Sequence, residues 1–234
     1  MNNYLVITGA SRGIGKATAK LFLSEGYSVI NLSRSPCDIE GVINYSIDLA
    51  EPEWPIGFET KLLEQLQQAD RTCLIHNAAL LLKDAIDSLK AEKLRQVCEV
   101  NIVAPQRLNR LILPSMKSQS CILYVGSTLS EKAVGNSYSY VLSKHAGIGM
   151  MRSNCQDLVG NQIHTAAICP GFTDTEMLRE HIGGGAENSL KLAEQVTQKR
   201  LIEPQEIAKT LFFCSENPVI NGSIIHANLG QIES

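Results

Sequence analysis

Tyr140 and Lys144, four residues apart, are the first pair in this sequence whose types and spacing could do proton chemistry. On a helix they share one face, with a rise of only ~6 Å between them. A free phenol has a pKa of about 10 and is a poor acid or base near neutrality. A nearby ammonium favours the phenolate and brings the phenol toward useful proton transfer. Such transfer contributes roughly 10²–10⁴ in rate where it operates. By itself the spacing is also that of an ordinary surface pair. Tyr138 is the competing phenol, but the residue four on from it is Leu142. Ser127 lies thirteen residues before Tyr140, just after the apolar run 121–125. Its hydroxyl could hydrogen-bond an oxygen that gains negative charge during reaction. A turn serine is the competing reading, and Thr128 is a near equivalent.

A second constellation stands at the start of the chain. YLVITGASRGIGKATAKLF reads as a strand, a glycine-rich turn and an amphipathic helix. Gly9, Gly13 and Gly15 let the backbone turn tightly and approach a ligand, and a helix start offers N–H groups and a positive dipole end to a pyrophosphate. The spacing is G-x-x-x-G-x-G, preceded by Thr8. Its place at the first strand-to-helix junction is where dinucleotide folds bind phosphate. An NAD-selective site puts Asp or Glu about 20 residues on, to hold the ribose 2′-hydroxyl. Here Ser33 and Arg34 stand in that place, and Arg12 lies in the loop. Two guanidinium groups could bond a 2′-phosphate, so NADP(H) is favoured over NAD(H). Solvated surface charge is the competing reading. Asp48 could accept from an adenine amino group or cap a turn.

The elements that must position these groups follow from periodicity. Strands are expected at 4–8, 28–32, 43–47, 72–76, 121–125, 163–169 and 223–227. Helical patterns fill 13–25, 59–69, 89–101, 103–117, 138–158 and 204–216, with Ile14, Ala17, Leu21 and Phe22 on one face of the first. Alternating strand and helix predicts an α/β fold: a single Rossmann-type, doubly wound domain over 1–234. Its sheet is expected to be mostly parallel and seven-stranded, with helices on both faces. The least patterned stretch is 171–203, which contains Gly183-Gly184-Gly185; it reads as a substrate loop or as a plain surface loop.

Taken together, these segments resemble the short-chain dehydrogenase/reductase family, nearly end to end. TGASRGIG at 8–15 looks like its cofactor loop, and HNAA at 76–79 like its Asn-Asn-Ala-Gly stretch. Asn101, Ser127, Tyr140 and Lys144 match its catalytic tetrad, and PGFTDT at 170–175 its segment beside the nicotinamide. RLIEPQEIA at 200–208 and INGSIIHANLG at 220–230 resemble its last helix and strand. The resemblance implies that Tyr140 exchanges a proton with a carbonyl or alcohol oxygen and that Ser127 hydrogen-bonds it. Lys144 would also hold the nicotinamide ribose, and Asn101 would fix a relay water. The cofactor would touch Gly9, Ser11, Arg12, Gly13, Ile14 and Gly15, then Ser33 and Arg34, and Asp48 and Leu49. It would also touch Asn77 and Ala78, Tyr140 and Lys144, and finally Pro170, Gly171, Thr173 and Thr175. The chain departs from the pattern at His76, Ala79, Ile202 and Asn228-Leu229.

Composition bounds the rest. The chain has 234 residues, a net charge of −3, and 44% apolar and 19% charged residues. It gives no case for nucleic acid or a membrane as partner. The start MNNYLVITGAS does not read as a signal peptide, and no apolar run spans a bilayer. Seven cysteines without a Cys-x-x-Cys suggest neither a metal site nor a disulfide framework, and buried, reduced thiols in a cytoplasmic protein are expected. Leu80, Leu81, Leu82, the residues after Ser127 and 171–203 should wall a pocket for a small or medium carbonyl or alcohol. Val97, Val100, Leu108, Leu111, Met150 and Met151 suggest helices buried on more than one side, as in the family's dimers and tetramers. The leading expectation is an NADP(H)-dependent carbonyl reductase. The alternatives are a catalytically silent NADP(H)-binding sensor or scaffold and an NAD-linked alcohol dehydrogenase.

Overall fold

The computed structural model describes residues 2–231. Seven strands form one sheet: β1 (Asn3–Thr8), β2 (Ser28–Ser33), β3 (Val42–Ser46), β4 (Arg71–His76), β5 (Cys121–Val125), β6 (His164–Pro170) and β7 (Ile224–Ala227). Their order is β3-β2-β1-β4-β5-β6-β7, and every pairing is parallel. The order reverses between β1 and β4, which opens a crevice at their carboxyl ends. Central strands β5 and β6 are buried along their whole length, the reason they read as unbroken apolar runs.

One face of the sheet carries α1 (Gly13–Ser24) and α8 (Pro204–Glu216), whose Phe22 and Phe212 rings meet edge-on at 5.1 Å. The other carries α2 (Phe58–Leu66), α3 (Ala91–Cys98), α4 (Ala104–Ile112) and α5 (Tyr138–Asp157). The buried stripe of α1 is Gly15, Thr18, Ala19 and Phe22. The expected stripe through Ala17 and Leu21 is rotated by one position. Small and polar residues take the face that must approach the sheet closely, and apolar side chains alone do not reveal it.

Two expectations change. Between α3 and α4 the chain makes a π-helical turn, Glu99–Val103, with Asn101 at its centre; π turns cluster at functional sites. The weakly patterned stretch 171–203 holds two short helices, α6 (Glu176–Ile182) and α7 (Ala186–Ala193). Thr175 caps α6 by accepting from the Leu178 N–H, and Gly183 ends it in the left-handed region at φ 81°. Helices of seven or eight residues carry too few apolar positions to show a period.

Val97, Leu108 and Met151 are fully buried within the chain, and Val100, Leu111 and Met150 pack on the same core. The fold of one chain accounts for the first three, while Val100, Leu111 and Met150 remain partly exposed.

Candidate active site

A cavity of about 1140 Å³ opens over the carboxyl ends of the strands, above the roughly 300–1,000 Å³ usual for small-molecule sites. Every residue singled out from the sequence as a cofactor or catalytic candidate lines it, except Gly15 and Asn101.

The glycine loop forms one wall. Gly9 and Gly13 adopt φ of 72° and 54°, the left-handed region where a side chain is strained. Gly15 faces inward. A Cβ there would collide with the Gly9 carbonyl oxygen and lie 2.6 Å from Asn77 Nδ2. Thr8 and Asn77 lock the ends of β1 and β4 together. The Thr8 hydroxyl accepts from the Asn77 and Ala78 N–H groups at 3.0 Å each, and the Asn77 amide donates to the Thr8 and Gly9 carbonyls. Arg12 pairs with Glu180 of α6 at 3.2 Å on the surface. The Asp48 carboxylate accepts from the Ala50 N–H at 2.9 Å, so it caps a turn while lining the cavity.

The floor carries the phenol, the ammonium and the hydroxyl singled out from the sequence. Ser127 lies two residues beyond β5 and caps a short 3-10 turn (Thr128–Ser130), accepting from the Leu129 N–H. α5 presents Tyr140 and Lys144, both buried. Lys144 Nζ donates to the Val125 carbonyl at 2.7 Å and stands 5.4 Å from the Tyr140 ring centre. Burial pushes the Tyr140 phenol up to about 12, and the adjacent Ser127 hydroxyl opposes this in part. Burial likewise draws the Lys144 ammonium down to about 8. The sequence argument expected the ammonium to lower the phenol. In the folded chain loss of hydration dominates and raises the phenol, and the group that opposes it is the Ser127 hydroxyl rather than Lys144.

Asn101 sits one layer behind. Its amide accepts from the Leu80 N–H at 2.7 Å and donates to the Leu80 carbonyl and to the Ser143 hydroxyl of α5. It therefore ties the π turn, the 78–81 wall and α5 together.

Sequence reasoning missed several residues. Asp84 is buried, and its carboxylate accepts from both the backbone N–H and the hydroxyl of Ser139, at the first turn of α5 next to Tyr140. An Asp fifty-five residues away carries no local signal. Cys169 lies under the site, bonded to Ser130 and Ser127, with burial raising its thiol. A Cβ on Gly126 would fall 2.7 Å from the Cys169 sulfur, so glycine is required where β5 ends. Asn31 is fully buried below the glycine loop.

Of the family departures, His76 lies within the core rather than in the cavity lining. It is buried, its Nε2–H donates to Asn109 Oδ1 at 2.7 Å, and burial draws it down to about 4. Ala79 lines the cavity. Ile202 is buried and hydrogen-bonds through its backbone to Phe172 and Asp174. Leu229 is held at φ 52°, a costly angle for a branched side chain. Leu80 and Leu81 line the cavity as expected, with Leu129, Val134, Phe172, Met177 and Leu178. Leu82 does not. Among the described residues no cluster of side chains could hold a metal ion, and no helix is long and apolar enough to cross a membrane.

Comparison with known proteins adds a pattern to this geometry. A sequence model described as short chain dehydrogenase matches residues 3–183. The 3-oxoacyl-[acyl-carrier-protein] reductase FabG of Vibrio cholerae is 27% identical over 97% of this chain and 96% of that protein. A short chain dehydrogenase family protein from Francisella tularensis superposes with a TM-score of 0.86 at 28% identity, covering 98% of both chains. A 4-hydroxyisoleucine dehydrogenase complexed with NADH gives 0.87 at 26%, again over 98% of both.

Proposed function

The chain belongs to the short-chain dehydrogenase family and is a hydride-transferring oxidoreductase, and from that premise we propose a specific enzyme: a one-domain reductase of small or medium carbonyl compounds that prefers NADP(H). One observation supports it above the others. Tyr140, Lys144 and Ser127 converge in the same cavity as the glycine loop and Arg34. The residues fit a dinucleotide. The loop has the left-handed glycines and close backbone packing that a pyrophosphate cradle needs, and the end of β2 offers Arg34 and Ser33 where an NAD site would offer a carboxylate.

When bound, the nicotinamide supplies the hydride. The protein supplies position and the proton. With a pKa near 12, Tyr140 stays protonated at neutral pH and acts as the donor to a carbonyl oxygen as negative charge develops there. Ser127 donates a second hydrogen bond to that oxygen. Lys144 holds positive charge close by and replenishes the phenol's proton. Asn101 spends its side chain on Leu80 and Ser143, so a relay water would meet its main chain instead.

Leu80, Leu81, Leu129, Val134, Phe172 and Met177 give the cavity an apolar wall, and Gln96, Lys132, His181 and Gln195 are among its polar lining. A neutral carbonyl compound fits it, with α6 and α7 of the 171–203 stretch forming the outer wall. We place the enzyme in the cytoplasm as a homodimer or homotetramer. Val103, Tyr138 and Leu142 are the partly exposed apolar residues of the helices involved.

Titrating NADPH and NADH against the protein while following nicotinamide fluorescence tests the cofactor reading. Tighter NADPH binding is expected, and tighter NADH binding would return the chain to the NAD-linked alternative. Tight NADPH binding without turnover across a broad carbonyl panel would favour the silent sensor, which the intact catalytic residues disfavour.

A further inference from the structure

Along β2 the side chains alternate, and Val29, Asn31 and Ser33 face the α1 layer. That layer includes Leu5, Ile7 and Phe22, yet Asn31 is wholly buried beside it. A buried amide there is costly unless its donors and acceptor are matched. They are. Its Oδ1 accepts from the Ala10 N–H at 2.9 Å and from the Ser33 hydroxyl at 3.1 Å. Its Nδ2 donates to Asn44 Oδ1 at 2.9 Å and, at 3.5 Å, to the Ser35 carbonyl.

Asn44 stands directly opposite in register on β3. It grips Cys37 at both backbone groups, accepting from the N–H at 2.8 Å and donating to the carbonyl at 3.1 Å. A continuous chain of bonds thus runs from Ala10 in the glycine loop, through Asn31 and Asn44, to Cys37 at the far end of the 33–37 turn. Arg34 rides on that turn, and Ser46 donates to the Arg34 carbonyl at 3.2 Å to hold it further. Ser33, a cavity residue, donates its hydroxyl to the Ser35 carbonyl at 2.7 Å within the same turn, with Asn31 Oδ1 beside it at 3.1 Å.

We infer that Asn31 and Asn44 are positioning residues for cofactor selectivity: they set the separation of the Arg34 turn from the glycine loop, and so decide whether a 2′-phosphate is gripped from both sides. The inference rests on the NADP(H) reading above. A charge-assisted bond is short and directional, so a turn that drifts loses the phosphate while the rest of the dinucleotide keeps its contacts. Neither asparagine needs to touch the cofactor for this.

Asn44→Ala is the chosen variant, because Asn44 is exposed on an edge strand and outside the cavity lining, and its loss leaves the Ala10–Asn31 bond in place. Two readouts need no turnover. In cofactor-free protein, amide hydrogen exchange at Cys37 should accelerate. By fluorescence titration, the dissociation constant for NADPH should rise at least about fivefold while that for NADH moves less than about twofold. In an Arg34→Ala background Asn44→Ala should add nothing further, since residues acting through one contact are not additive. Equal losses for both cofactors, or an unchanged preference in Asn44→Ala, would overturn the positioning role while leaving the NADP(H) reading intact. A wild-type protein without NADPH preference would overturn both.

Discussion

The two ends of the sheet both draw polar side chains out of water, and they differ in what those groups still face. At the carboxyl ends Tyr140, Lys144 and Ser127 face a cavity. At the amino ends Tyr27 donates to Glu216 at 2.7 Å, and Arg71 bonds the same carboxylate at 2.7 Å and the Ser215 carbonyl. His164 donates to the Cys214 carbonyl, and Cys73 and Cys121 sit side by side on adjacent strands. Burial raises the phenol of Tyr27 just as it raises that of Tyr140. The difference is saturation. The lower phenol has a carboxylate partner inside the chain, whereas the upper has one hydroxyl neighbour and open space. A displaced pKa marks chemistry only where the group can still meet a ligand.

The largest expected effect separates the two ends outright. Tyr140→Phe should cost about 10²–10⁴ in turnover with cofactor affinity almost unchanged; steady-state rates near wild type would remove the phenol from its role. Next comes the rim of the cavity. Arg34→Ala should weaken NADPH binding about tenfold and spare NADH, and equal losses in titration would show that the guanidinium does not read the 2′-phosphate.

A pH profile sharpens the comparison further. Lys144 loses its proton as pH rises through about 8, so kcat/KM for carbonyl reduction should be halved near that pH and keep falling above it. A flat profile to pH 10 would remove Lys144 from the proton path. The same group affects stability with a definite sign. Its ordinary value is 10.5. Between about 8 and 10.5 the unfolded chain therefore binds more protons than the folded one. This residue's contribution thus becomes more stabilising as pH rises through that window, and it is unfavourable below it.

The smallest effect belongs to the lower end. Arg71→Met should cost about 1 kcal/mol by removing the ion pair with the exposed Glu216 and the bond to the Ser215 carbonyl, or a melting-temperature drop of roughly 2–4 °C. Turnover per folded molecule should stay as it was. Loss of activity without loss of stability would mean the two ends are coupled.

Much of the site was legible in the chain because its signals are local. A strand, three glycines at fixed offsets and a helix are read within twenty residues, and so is the Tyr140–Lys144 spacing. Arg34 is visible as an absence of acid after β2. The illegible parts depend on residues far apart in sequence. Asp84 holds the start of α5 from fifty-five residues away, and Asn31 reaches Ala10 across twenty-one. The α6 and α7 helices escaped for a different reason: they are too short for periodicity, although Thr175 ahead of Glu176 was a readable cap.

The sequence by itself determined the element order, the parallel sheet and the residue types at the cavity, because backbone preference and side-chain periodicity act over a few residues. Tertiary structure alone decided that Ser127 meets Tyr140, that burial raises the phenol rather than lowering it, and which of two phenols is left without a carboxylate. Hydration is lost only when distant segments close over a group, and no local pattern records which segments those will be.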